Sequence, residues 1–258
     1  MVSAADRAKG SVRTSVWLDG KADRGRRSGG QPVALDRERI VGATVRLLDA
    51  EGDAKFSMRR LAADLEVTAM SVYWYVDTKD DLLELALDAA FGEFRLPDLS
   101  DPAAWRDQLR TMADEYRSGL VRHPWVAALI GSFLNIGPNS MAFSRAALQV
   151  MRNSGLSPER QMAGLSAVFQ FVYGFGTIEG NFIARCASAG VSQDAYFRQA
   201  MSAIETDPDP DVREYLADAS EVIGGDGSED SVPVMRDQHF TFALELLIAG
   251  IEAMAERE

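Results

Sequence analysis

Residues 1–35 carry no hydrophobic period, and Gly, Ser, Arg and Lys dominate them. The run Arg24-Gly-Arg26-Arg27-Ser-Gly-Gly reads as a flexible basic N-terminal arm. Inside it the apolar patch Val16-Trp17-Leu18 has no evident local partner. Nothing periodic lies in residues 1–30, so their removal is expected to leave the folded core untouched. Order begins at Asp36: Ile40, Ala43, Val45, Leu47 and Leu48 recur at helical spacing until Gly52 stops the run. Ser57 can cap a short second helix, Met58–Leu65, and Thr68 a third, Ala69–Val76. Thr78-Lys-Asp-Asp81 reads as a capping box opening a fourth helix that runs through Phe91. Three short helices and a longer one, with no strand signal, form the layout of a helix-turn-helix bundle.

From Pro97 onward the pattern stays helical, over 101–121, 124–134, 139–153, 157–185, 192–205, 209–223 and 235–256. Gly224–Val234, rich in Gly, Asp, Glu and Ser, reads as a loop. The expected class is all-α, in three regions. An arm spans 1–35, a helix-turn-helix domain 36–94, and a larger helical domain 95–258.

Composition narrows the chemistry. The chain has one cysteine, Cys186, and two histidines, His123 and His239, so zinc or histidine-based catalysis has almost nothing to be built from. No cofactor or metal is expected, and no enzyme, since neither a nucleophile–base pair near a Gly-rich elbow nor a phosphate loop is present. The lone cysteine fits a reducing cytoplasm. The first 30 residues lack the apolar core of a signal peptide. The uncharged stretches Pro124–Ser144 and Gln161–Ile178 read as buried helices, not membrane spans. Net charge is −12, yet residues 1–79 carry 14 Lys and Arg against 11 Asp and Glu. Such asymmetry suits a chain whose first end meets a polyanion.

On a helical wheel Ala69, Val72 and Val76 share the core face of the third helix. Met70, Ser71 and Trp74 point the opposite way, with Tyr73 and Tyr75 on the flanks. A short helix with apolar rings on its far side needs a partner there. Aromatic rings with polar tips suit sugar, phosphate and thymine methyl groups. Arg59 and Arg60 at the start of the second helix, and Lys79 at the start of the fourth, stand where cations can clamp phosphates.

Residues 37–85 resemble the DNA-binding domain of the tetracycline-repressor (TetR) family. The resemblance is carried by Phe56-Ser-Met-Arg-Arg-Leu-Ala62, Val67-Thr-Ala-Met-Ser-Val-Tyr-Trp-Tyr-Val76 and Lys79-Asp-Asp-Leu-Leu83. The Tyr-Trp pair before the lysine is similar to the subgroup around the tetracycline repressor itself. The resemblance implies base-edge contacts from Arg59, Thr68, Ala69, Met70 and Ser71. It implies phosphate or sugar contacts from Ser57, Tyr73, Trp74, Tyr75 and Lys79. One departure is Glu66, where the family commonly has Gly; a left-handed Glu costs roughly 1–2 kcal/mol.

In the larger domain, Phe240, Leu244, Leu247, Ile251 and Met254 form a heptad-like stripe, with Phe242, Leu246, Ala249 and Ala253 beside it. The 157–185 segment pairs Leu165, Phe169 and Val172 with a second line of Val168, Phe171, Phe175 and Phe182. Both helices read either as central core or as dimer helices. The resemblance, which implies a homodimer built on a four-helix bundle, favours the second and puts Leu165, Phe169, Val172 and the heptad-like stripe in the interface. Gln170, Thr177 and Asn181 lie along one line of the long helix. They either bond each other or water, or line a cavity with Phe133, Phe171 and Phe175 for a mostly apolar ligand. The expected function is a homodimeric transcription regulator on a double-stranded DNA operator, released by a small-molecule effector. A regulator answering to a protein partner, or to no ligand, is the alternative.

Overall fold

In the computed structural model the described residues are 15–18, 35–205, 209–211, 214 and 231–257, and all their regular structure is helical. The chain divides into two compact units. The first runs to Phe94 and regains Trp125–Ser144; the second holds Arg95–Pro124 and everything from Arg145 onward. The return of 125–144 to the first unit leaves no mark in the hydrophobic pattern.

The first unit is built on α1 (Arg37–Glu51), α2 (Met58–Asp64), α3 (Ala69–Tyr73) and α4 (Lys79–Phe91), joined by α6 (Trp125–Ile130). Each of the first four starts on a side chain that accepts a backbone N–H, satisfying a donor the helix cannot. Asp36 takes Arg39, Ser57 takes Arg60, Thr68 takes Ser71 and Thr78 takes Asp81. Gly52, at φ 76°, ends α1 as expected. Ile40, Leu48, Leu61, Val72, Leu82 and Ala86 form the buried centre. α6 stops at Ile130 instead of 134, and α3 at Tyr73 instead of 76. Trp125 ties α6 to α1 by donating from Nε1 to Asp49 at 2.6 Å.

α4 also anchors segments remote in sequence. Asp88, buried, accepts from the N–H of Asn139 and of Ser140 (3.3 and 2.9 Å), so it caps the start of α7 (Pro138–Arg152). Gly137 makes this approach possible, because a Cβ there would stand 2.2 Å from the Asp88 carboxylate. The patch at Val16 overturns one expectation: Val16 and Ser15 are buried against the unit, with Ser15 and Val16 both bonded to Glu84 of α4. Ser15 and Val16 therefore belong to the core, while Leu18 stays exposed, and removal of residues 1–30 would not leave the core untouched. The remainder of the arm, with Arg24, Arg26 and Arg27, lies outside the described residues.

The second unit holds α5 (Trp105–Arg122), the later turns of α7, α8 (Pro158–Ala189), α9 (Gln193–Glu205) and α10 (Ser231–Ala255). α8 outruns its expected end at 185 and stops at Gly190, in the left-handed region at φ 68°. α10 starts four residues earlier than expected, because Asp194 of α9 accepts from Ser231 Oγ (2.8 Å) and Val232 N–H (2.9 Å). Most of the expected helix at 209–223, and 224–230 of the expected loop, fall outside the described residues. α5 and α8 pack closely where α8 has Gly176 and Gly180; a Cβ on Gly180 would reach 2.9 Å from the Leu120 carbonyl oxygen.

The stripe expected at a dimer interface turns inward. Phe240, Leu244 and Ile251 are buried, as are Leu165 and Val172; Phe169 and Leu247 are half-buried, and only Met254 is largely exposed. Phe240 packs against Phe171 and Phe175 with centroids 5.5 and 5.2 Å apart, and Phe169 meets Tyr116 edge-on. These positions fill the unit's own core, and the neighbouring stripe faces outward, with Phe242 66% and Leu246 59% exposed. The expected ligand-lining set is likewise dispersed. Within the second unit Gln170 and Asn181 are exposed, while Phe171 and Phe175 pack with Phe240. The helix wheel put the three polar groups on one line, but packing separates them.

Candidate nucleic-acid interface

The turn between α2 and α3 is tight and left-handed. Glu66 has φ 56°, with its N–H on the Ala63 carbonyl and Val67 N–H on that of Ala62. The strain of roughly 1–2 kcal/mol expected for a non-glycine residue is therefore present. It is offset by the packing the turn allows, which seats Val72 and Val76 in the core.

With those two valines buried, the outer side of α3 is fixed. Met70 is 69% and Trp74 83% exposed, and Tyr73 is also exposed. Ala69 and Ser71 are half-buried beside them. Thr68, exposed, accepts from Ser71 N–H at 3.2 Å and shares a 2.9 Å hydroxyl contact with Ser71. Ser57 and Arg59 are exposed at the start of α2. The structure thus brings Thr68, Ala69, Met70, Ser71, Tyr73 and Trp74 together on one short element.

Other expected residues have intramolecular work. The Tyr75 hydroxyl donates to the Leu35 carbonyl, so this side chain buttresses the chain entering α1. Lys79 Nζ donates to the Phe56 carbonyl at 2.9 Å and stands 5.5 Å over the Phe56 ring, pinning the start of α2 to the start of α4. Arg60 pairs with Glu51 at 2.9 Å. Neither Leu35 nor Glu51 carries a signature in the sequence, because one acts through its backbone carbonyl and the other is an ordinary surface carboxylate.

Chemically this face offers apolar contact through Met70 and Trp74, hydroxyls at Thr68, Ser71 and Tyr73, and a cation at Arg59. That is the mixture used on base edges and sugar-phosphate. It lacks a paired acid and base or a metal-ligand cluster; among the described residues no group of three or more His, Cys, Asp and Glu could hold a metal.

The second unit has a cleft of about 520 Å³ between α5, α8 and α10. Arg117 lies at its floor, donating to Glu179 (2.6 and 2.8 Å) and to Asp237 (2.7 Å). Its guanidinium stacks 4.5 Å over the Phe240 ring. Asp114 lines the same cleft, where desolvation pushes its carboxyl up against the opposing pull of Arg117. Among the described residues no helix is long and apolar enough to cross a membrane.

Comparison with known proteins places this geometry. Residues 40–86 match the family described as bacterial regulatory proteins, tetR family, and residues 96–255 that described as tetracyclin repressor-like, C-terminal domain. An HTH-type transcriptional regulator of Saccharopolyspora erythraea is 35% identical, covering 87% of each chain. The HTH-type transcriptional repressor DrrR1 of Streptomyces coeruleorubidus is 33% identical over 90% of this chain and 83% of its own. The crystal structure of the Streptomyces coelicolor TetR family protein ActR in complex with actinorhodin superposes with a TM-score of 0.65. It is 29% identical and covers 86% of this chain and 99% of that one. Helix-turn-helix geometry in the first unit and matches through both units agree: the chain belongs to the tetracycline-repressor family of DNA-binding transcription regulators.

Proposed function

We propose that the chain is a cytoplasmic repressor that binds a palindromic operator as a homodimer and leaves it when a small, mostly apolar molecule binds. The observation that carries this reading is the outer face of α3, large and apolar at Met70 and Trp74, held outward by buried Val72 and Val76. Arg59, Thr68, Ala69, Met70 and Ser71 meet base edges in the major groove. Ser57, Tyr73 and Trp74 meet sugar and phosphate, while Tyr75 and Lys79 hold the face in shape and add to it at its rim.

A second copy is needed because one such head has too little surface for high specificity. The exposed stripe of Phe242 and Leu246 on α10, with Met162 and Ile178 on α8, supports the pairing. It replaces the inward stripe as the interface. Effector binding belongs to the second unit, and the ActR complex with actinorhodin supports it by similarity. Within that unit Thr177 has a buried hydroxyl without a hydrogen-bond partner, an atom that a polar group of a bound molecule would satisfy.

The test is selection of a duplex from a randomised pool by the full-length chain, followed by gel-shift titration. Trp74→Ala or Tyr73→Ala should weaken binding about ten-fold or more, close to 1.4 kcal/mol, with the fold intact by circular dichroism. Ser71 substitutions should change the preferred sequence. Wild-type affinity in both aromatic variants would remove α3 from the interface. The basic arm is tested on the same duplex: Arg24, Arg26 and Arg27→Gln should flatten log K against log salt, since fewer counterions are released.

A further inference from the structure

α4 buries three carboxylates, Asp81, Glu84 and Asp88, spaced so that all three fall on neighbouring turns of one helix. A buried carboxylate is tolerated only where donors meet it. Asp88 is met by the start of α7. Glu84, 2% exposed, is met from the far end of the chain: one oxygen accepts the Ser15 hydroxyl and the other the Val16 N–H at 3.0 Å. Ser15 in turn accepts from Trp17 N–H at 3.2 Å, and its carbonyl takes Leu18 N–H at 3.1 Å, closing a turn. Val16 is 1% exposed.

We propose that residues 15–18 are a clip that positions the DNA-reading unit, with Glu84 as its receptor and positioning residue. The proposal rests on the DNA-binding reading above. The clip engages α4 five residues after Lys79, which ties the start of α4 to the start of α2 through the Phe56 carbonyl. α4 also packs along α1. A second tie, from Tyr75 to the Leu35 carbonyl, fixes the chain entering α1 to the end of α3. The chain ahead of α1 is thus held at two points on the unit that carries α3. Loss of the clip leaves the Glu84 carboxylate buried without its two donors. α4 must then shift or admit water there, and the offset between Lys79, α2 and α3 is no longer fixed. The clip lies upstream of the matched DNA-binding region, which begins at residue 40.

The experiment keeps the full chain and compares Ser15→Ala/Val16→Pro, which removes both donors, with the same variant carrying Glu84→Leu. Affinity for the selected duplex is read where each protein is fully folded by circular dichroism, together with amide exchange over Leu82–Leu87. The double variant should bind about ten-fold more weakly and exchange faster in α4. Adding Glu84→Leu should recover melting temperature, since the stranded charge is gone, while affinity stays low. Affinity within two-fold of wild type, unchanged exchange in α4, or affinity that returns together with stability would each overturn the positioning role. Should the double variant not fold, Ser15→Ala alone keeps the Val16 bond and should show a smaller loss, about two- to five-fold. If the unaltered chain selects no duplex, the DNA-binding reading fails and this one with it. Loss confined to the clip variants speaks to the clip alone.

Discussion

α3 and α10 both carry large apolar side chains to the surface, under opposite constraints. α3 has five residues, and Val72 with the nearby Val76 already commits its inner side, so Met70 and Trp74 have nowhere to go but out. α10 has 25 residues and is apolar on two sides, so either stripe could face inward. Its neighbours decide. Phe240 finds Phe171, Phe175 and the Arg117 guanidinium, and Leu244 and Ile251 follow it into the core. Phe242 and Leu246, two residues along, are turned outward. An outward apolar side chain therefore means different things in the two places. In α3 it is forced by a short helix, whereas in α10 it is what remains after the core has taken the better-fitting stripe.

A charge placed on each stripe of α10 separates the core role from the surface role. Leu244→Asp buries a carboxylate in the second unit's core and should cost more than about 4 kcal/mol, seen as a lost or strongly lowered melting transition. Leu246→Asp should leave the monomer folded while light scattering shows loss of the dimer. Equal loss of fold in both would mean that Leu246 is core, and an intact dimer in Leu246→Asp would move the interface off this stripe.

A smaller effect probes the strain on the α3 side. Glu66→Gly removes the left-handed penalty and adds unfolded-state entropy, for a net gain of about 0.5–1 kcal/mol. Thermal melts should show the first unit stabilised, with α3 unmoved. No gain would mean that the turn relaxes at little cost with Glu in place.

The smallest effect lies in the cleft beside α10. Partial desolvation at the cleft disfavours the charged form of Asp114, although the residue keeps contact with solvent, so its folded carboxyl titrates above the unfolded one and its charge works weakly against folding as pH rises. Asp114→Asn should therefore raise the melting temperature slightly at neutral pH. The gain should vanish as pH falls below the ordinary carboxylate range, where both forms are neutral. A gain independent of pH would assign the effect to packing instead.

Local signals made the first unit legible. Ser57, Thr68 and Thr78 cap helices that begin one residue later, so the cap and its beneficiary lie in one short window. The exposed face of α3 follows from the same short range. The caps from Asp88 to α7 and from Asp194 to α10 could not be found this way, since each spans dozens of residues. Nor could the turn at Ser15, whose three-residue apolar patch has no period and whose receptor, Glu84, reads as one more helical carboxylate.

Local sequence settled the all-helical class, the first four helices, the caps at Ser57, Thr68 and Thr78 and the outward face of α3, and it marked Glu66 as a departure whose left-handed backbone only the structure shows. Each of these depends on residues within a few positions of one another, where backbone geometry leaves one solution. Long-range packing chose which stripe of α10 is core, kept Gln170 and Asn181 at the surface, returned 125–144 to the first unit and made residues 15–18 part of it. Those outcomes depend on which distant surface offers a donor to a buried carboxylate or a better-shaped neighbour to a ring, and the periodicity of a single helix carries no information about either.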